Sequence, residues 1–164
     1  MTTPIHDAIR ALGHEEFAIG RDRLIAIVDQ NPGWADAWAL LSGAHLALAE
    51  VELASAASER AIALAPDAFL PRMKAGELAL RLGQIEVAES QFLAAIRATE
   101  IDTADAVAAR RGLAVARRAS RLGIAHRAAL PRLAWPVRRA AGVSRLGASL
   151  VGRIRRSAAA REAI

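Results

Sequence analysis

The sequence holds no cysteine and no tyrosine, three tryptophans, three phenylalanines, and one lysine, Lys74, against 21 arginines. Without cysteine there is neither a disulfide framework nor a thiolate metal site, which suits a reducing compartment. The opening residues MTTPIHDAIR lack an apolar core of signal-peptide length, and no later run reaches the ~20 apolar residues that a membrane-spanning helix needs. The expected location is therefore cytoplasmic, either soluble or peripheral at the inner membrane face.

Catalytic patterns are also missing. No glycine-rich phosphate loop, nucleophile elbow or metal-spaced cluster occurs, and His6, His14, His45 and His126 are scattered along the chain. Glu15-Glu16 and Glu50-x-Glu52 stand at helix starts, where carboxylates favour the macrodipole without any chemistry. The expectation is a protein that is not an enzyme and takes no cofactor, metal or small-molecule substrate.

What is present is a period. Residues 35–68, ADAWALLSGAHLALAEVELASAASERAIALAPDA, read as one complete helix–turn–helix unit. Residues 69–102, FLPRMKAGELALRLGQIEVAESQFLAAIRATEID, repeat its order of small and large side chains at the same offset. A fixed period of this length marks stacked helical repeats, in which each unit buries its apolar face only against its neighbours. Trp38, Leu41, Ala54, Ala61 and Pro66 of the first unit, and Gly76, Ala88, Phe92 and Ala95 of the second, fall in the order of the tetratricopeptide repeat, which this chain resembles. It departs from that pattern at Ser42, His45 and Ser58, and at Arg72, Ala79 and Glu100. Residues 4–34 read as an earlier unit with a short first helix: Ala8, Gly20, Leu24, Ile27 and Pro32 keep the register.

The expected fold is all-α, a right-handed solenoid of antiparallel helix pairs with about three repeats and a capping helix, over residues 1–123. Helices are expected at 4–12, 15–30, 35–48, 51–64, 69–82, 85–98 and 104–122: Gly13, Pro32-Gly33, Pro66 and Gly83 interrupt the apolar period, and Asp102-Thr103 stops the sixth helix and caps the seventh. Trp38, Leu41, Leu64 and Phe92 are expected in the core. In the last helix, Val107, Leu113, Val115 and Leu122 are expected to face the array, with Arg110, Arg111, Arg117, Arg118 and Arg121 outside. Pro131 and Pro136 forbid a continuous helix over 124–136, which reads as a linker around Trp135.

Charge splits the chain. Residues 1–102 carry 8 basic and 15 acidic side chains, net −7, whereas 103–164 carry 14 and 2, net +12. Such asymmetry points to a basic part that meets an acidic surface, although GC-rich coding also favours arginine over lysine. Residues 137–164 sharpen the reading, because at 100° per residue Val143, Leu146, Leu150, Val151 and Ile154 share an arc of about 140°. Arg138, Arg145, Arg153, Arg155 and Arg156 lie outside its centre, so the segment reads as a basic amphipathic helix. An anionic membrane interface is one reading; packing on the chain's own repeats or on a partner protein stands beside it. Nucleic acid comes third, since neither a base-reading motif nor a stacking platform accompanies the charge.

The resemblance implies a binding groove lined by the first helix of each pair, here Asp36, Ala39, Gly43 and Leu46, then Leu70, Met73, Glu77 and Leu80. The basic set with which the family holds a peptide carboxylate is missing, so a helix or an extended apolar peptide is the expected occupant. The functional expectation is an adaptor or assembly scaffold that binds a protein through an apolar concave groove while its Arg-rich tail attaches to an anionic membrane or larger complex. The alternative is a nucleic-acid-associated protein that binds through its basic half.

Overall fold

The computed structural model describes residues 4–100 and 103–123. The linker expected at 124–136, the basic segment 137–164 and its five named arginines lie outside the described residues. Among the described residues seven helices follow one another: α1 (Pro4–Gly13), α2 (Phe17–Gln30), α3 (Ala35–Ala47), α4 (Val51–Leu64), α5 (Phe69–Arg81), α6 (Ile85–Arg97) and α7 (Ala104–Arg121). They form the pairs α1–α2, α3–α4 and α5–α6, with α7 packed on α6 and α5 in the place of a fourth first helix. Each boundary lies within two residues of the expected one.

The pairs close by one turn used three times. Glu15, Ala49 and Gly83, each one repeat beyond the last, have φ of 63°, 61° and 74°. In each case the next residue's N–H donates back to the first helix, Glu16 to Ala11 O, Glu50 to His45 O and Gln84 to Ala79 O, all at 2.9 Å. This is the left-handed helix ending in which a backward bond satisfies an orphan carbonyl. Only Gly83 adopts that φ without a Cβ cost, so Glu15 and Ala49 are held there by the packing of the helices on either side.

The pairs join by a second turn at Pro32 and Pro66, closed by Trp34 N–H to Asn31 O at 3.1 Å and Ala68 N–H to Ala65 O at 3.2 Å. Trp38 Nε1 donates to Pro32 O at 2.9 Å, and Arg72 Nε makes the equivalent bond to Pro66 O. Arg72, which departs from the repeat pattern by residue type, thus replaces the tryptophan one unit earlier as donor to the turn.

Burial follows the same period. Gly20, Ala54 and Ala88 are buried, as are Leu24, Ser58 and Phe92, and Ile27, Ala61 and Ala95. On the first helices Ala8, Ser42 and Gly76 are buried where the second helix comes close: Ser42 Oγ donates to Ala54 O at 2.8 Å, and Gly76 lies against the Phe92 ring. One core cluster draws residues from every helix and a second joins α5, α6 and α7, with Met73 and Ile96 packed against both.

Four expectations about burial are corrected. Leu41 and Phe92 are buried as expected, but Trp38 and Leu64 are only half-buried. The indole N–H of Trp38 needs an acceptor and finds it in the turn carbonyl of Pro32, which keeps part of the ring in solvent. Leu64 is the last residue of α4, where the chain turns toward α5. On α7, Val107 is 42% and Leu122 is 59% exposed, whereas Ala106, Ala109, Leu113, Ala116 and Ala119 form the buried stripe. Four alanines let α7 approach α6 closely, and the branched Val107 is left on the opposite side. Thr103 caps this helix, its Oγ1 accepting from Ala106 N–H at 3.2 Å.

Candidate functional site

The first helices of the pairs lie side by side, α3 against α5 and α5 against α7, so side chains on their common face form one surface. The eight groove residues named from the sequence divide into two sets there. Ala39, Leu46, Leu70 and Leu80 are buried, at 0%, 4%, 7% and 3% exposure. Asp36, Gly43, Met73 and Glu77 are half-exposed. The aliphatic members pack between repeats: Leu46 joins Ala54 and Leu78, while Leu70 and Leu80 enter the two larger clusters. What remains open to a partner is therefore less apolar than the residue types imply.

Two further contributors lie outside the groove set read from the sequence. Lys74 Nζ pairs with Glu77 Oε2 at 2.8 Å, and its stem lies across Gly43, so that a Cβ there would meet Lys74 Cδ at 3.5 Å. At the matching places on α7, one repeat beyond the α5 set, Ala104, Val107, Arg111 and Ala114 are all exposed. Extending the period past residue 102 is the signal that would have found them. The surface so built runs over α3, α5 and α7, mixes both signs of charge with small and aliphatic groups, and rests on a buried layer that holds its backbone in place.

At the edge of this face a polar network ties three elements together. Glu50, just before α4, receives Arg21 Nη1 of α2 on Oε1 at 2.8 Å and lies 2.6 Å through Oε2 from Nδ1 of buried His45 on α3. His45 stands where the repeat pattern has a tyrosine and still supplies a polar tip. The hydrogen bond from His45, aided by the charge of Arg21, holds the Glu50 carboxyl below its ordinary range. A carboxylate with a depressed folded value adds stability that is complete above its unfolded value and is lost as pH falls through the folded one. Glu50→Gln is therefore expected to lower the melting temperature at neutral pH, and the gap from the parent should close under acid conditions below the ordinary carboxylate range. Melting curves across pH check this; a gap unchanged into acid would show that the carboxylate charge contributes nothing.

Among the described residues no three His, Asp or Glu side chains converge as metal ligands. No family model matches the chain, and no curated protein matches it. The fold is similar to that of a solved structure, the crystal structure of the P58(IPK) TPR domain, with a TM-score of 0.59 and 22% identity over 73% of this chain. The match spans 33% of the solved chain, about a third of its length. The fold is thus that of a tetratricopeptide repeat array.

Proposed function

We propose that this chain is a protein–protein interaction module without catalytic activity, an adaptor or scaffold that holds a partner against the face of its first helices. The observation that carries the reading is the pairing of an open face with a closed layer beneath it. Asp36, Gly43, Met73 and Glu77 are accessible on neighbouring helices, while Ala39, Leu46, Leu70 and Leu80 lock those helices together. A preformed surface loses little ordering entropy on binding, which favours recognition of a helix or an extended peptide. Asp36 and the Lys74–Glu77 ion pair beside aliphatic Met73 suit a segment that offers apolar groups together with charges able to share that pair.

The basic C-terminal segment gives the module a second attachment. Arg138, Arg145, Arg153, Arg155 and Arg156 are proposed to meet an anionic membrane or an acidic part of a larger complex, on the strength of the +12 charge of residues 103–164. Asp36→Lys combined with Glu77→Lys is expected to cut co-purification of the principal partner at least about tenfold, the scale of losing two well-placed polar contacts. Helical circular dichroism should be unchanged. Full co-purification with both changes would reject this face as the binding surface.

A further inference from the structure

Among the described residues α7 is the last helix, and one residue series changes character there. Ala8, Ser42, Gly76 and Arg110 occupy the same place in successive repeats, and the first three lie buried where a second helix packs on its partner. At the fourth place stands an exposed arginine. The side that α3 turns to α4, and α5 to α6, is on α7 a cationic outer surface.

Arg110, Arg111, Arg117, Arg118 and Arg121 are all exposed and, at 100° per residue, share an arc of about 120°. Arg117 has a distant carboxylate, Glu89 Oε2 at 4.0 Å; Arg111, Arg118 and Arg121 have none among the described residues. The one acidic residue of the helix, Asp105, is buried on the other side. Between and beside the guanidinium groups stand Val107 and Leu122, both exposed; Val107 and Arg111 also form the α7 border of the first-helix face, so the two surfaces adjoin along them.

We propose that this face of α7 is a docking surface for an anionic phospholipid bilayer, separate from the attachment assigned to residues 137–164. The charge pattern selects among occupants. The chain's own C-terminal segment is a poor one, because residues 124–164 carry 9 arginines and 1 acidic residue and would be repelled. A nucleic acid would leave the exposed aliphatic side chains in contact with water or phosphate, and the outer surface of α7 offers no aromatic, Asn or Gln side chain to stack on or read a base. A bilayer interface accepts both kinds of group at once: arginine reaches lipid phosphates while Val107 and Leu122 enter the apolar boundary. The 18-residue helix is ~27 Å long and rigid, so its row of charges can lie along an extended surface in one step. The chain then continues from Gly123 into a segment of the same sign, which the same surface would attract. None of the described helices is long and apolar enough to cross a membrane, so the contact is interfacial.

The test uses the full chain and two sets of vesicles, one of phosphatidylcholine mixed with phosphatidylglycerol and one of phosphatidylcholine alone. The parent is expected to bind the mixed vesicles only. Arg111→Gln with Arg118→Gln and Arg121→Gln should lower that binding at least about tenfold, since each basic group near such a surface contributes appreciably. Val107→Asn with Leu122→Asn should lower it with all charges kept, a result that a purely cationic contact would not produce. Unchanged circular dichroism and melting verify the fold of each variant. If the arginine variant binds like the parent while a variant of Arg138, Arg145, Arg153, Arg155 and Arg156 does not, the C-terminal segment alone anchors the protein and the α7 site is overturned. Parent protein that ignores mixed vesicles, or that shifts duplex DNA at concentrations where it leaves those vesicles unbound, overturns it as well. So does an arginine variant whose only defect, by sedimentation velocity, is loss of self-association.

Discussion

Phe92→Ala should destabilise the protein by roughly 3 to 5 kcal/mol, the range for deleting a fully buried aromatic ring. The ring is 0% exposed on α6 and is pinched between two other helices. A Cβ added to Gly76 of α5 would lie 2.7 Å from its Cε1, and one added to Gly112 of α7 would lie 2.5 Å from the same atom. Two helices approach the ring through glycines, so truncation leaves a cavity bounded by backbone that cannot collapse into it. Domains of this size are stable by only ~5–15 kcal/mol, so the loss is a large share of the total. Equilibrium urea unfolding measures it; a loss below about 1 kcal/mol would mean that the three helices do not meet on this ring.

Gly112→Ala should also destabilise, against the usual sign for a helix interior. Replacing glycine by alanine in mid-helix ordinarily gains about 1 kcal/mol. Here the new methyl would enter the Phe92 ring, which has Gly76 on its other side and no free direction to move. Overpacking of this kind costs roughly 1–3 kcal/mol, so after the propensity gain the net change is a loss of up to about 2 kcal/mol. Gly43→Ala is the matched control: its nearest neighbour is the flexible Lys74 stem at 3.5 Å, and the propensity gain should survive. Phe92→Leu combined with Gly112→Ala should cost less than the two changes summed, because the smaller side chain makes room for the methyl. Strict additivity would place Gly112 away from the ring.

The helices were legible because the repeat period is carried by small residues. Ala54, Ala61, Gly76, Ala88 and Ala95 can stand where helices touch and few larger residues can, so their spacing reports the packing directly. Pro32, Pro66 and Gly83 marked turns for equally local reasons. The left-handed turns at Glu15 and Ala49 were not legible, since nothing in either residue type favours a positive φ; the neighbouring units impose it. Arg72 hid its equivalence to Trp38 because what the position requires is a donor aimed at a proline carbonyl, and two very different side chains provide one.

The face of the first helices was half legible. Its positions followed from the repeat register, but register alone does not say which side chains point outward and which fill the gap between units. Leu46, Leu70 and Leu80 are packing residues, and the accessible surface passes to Asp36, Gly43, Met73, Lys74 and Glu77. Arg110 reads in the sequence as one of several outward arginines. Its place in the series Ala8, Ser42, Gly76, where the earlier repeats have small buried residues, shows only once the period is carried past residue 102.

A partner on the face of the first helices, rather than on the opposite side, is the claim on which the proposed function depends. That opposite side has its own candidates for contact, since Ile19, Leu53 and Val87, one on each second helix at matching places in the repeat, are 47%, 55% and 47% exposed. Site-specific photocrosslinking decides between them, with a benzophenone amino acid placed at Glu77 in one protein and at Leu53 in another, each expressed in the cell of origin. A discrete crosslinked protein from position 77 and none from position 53 is the outcome expected of a partner held by the first helices. The same adduct from position 53, with position 77 silent, would place the partner on the second helices and refute the claim.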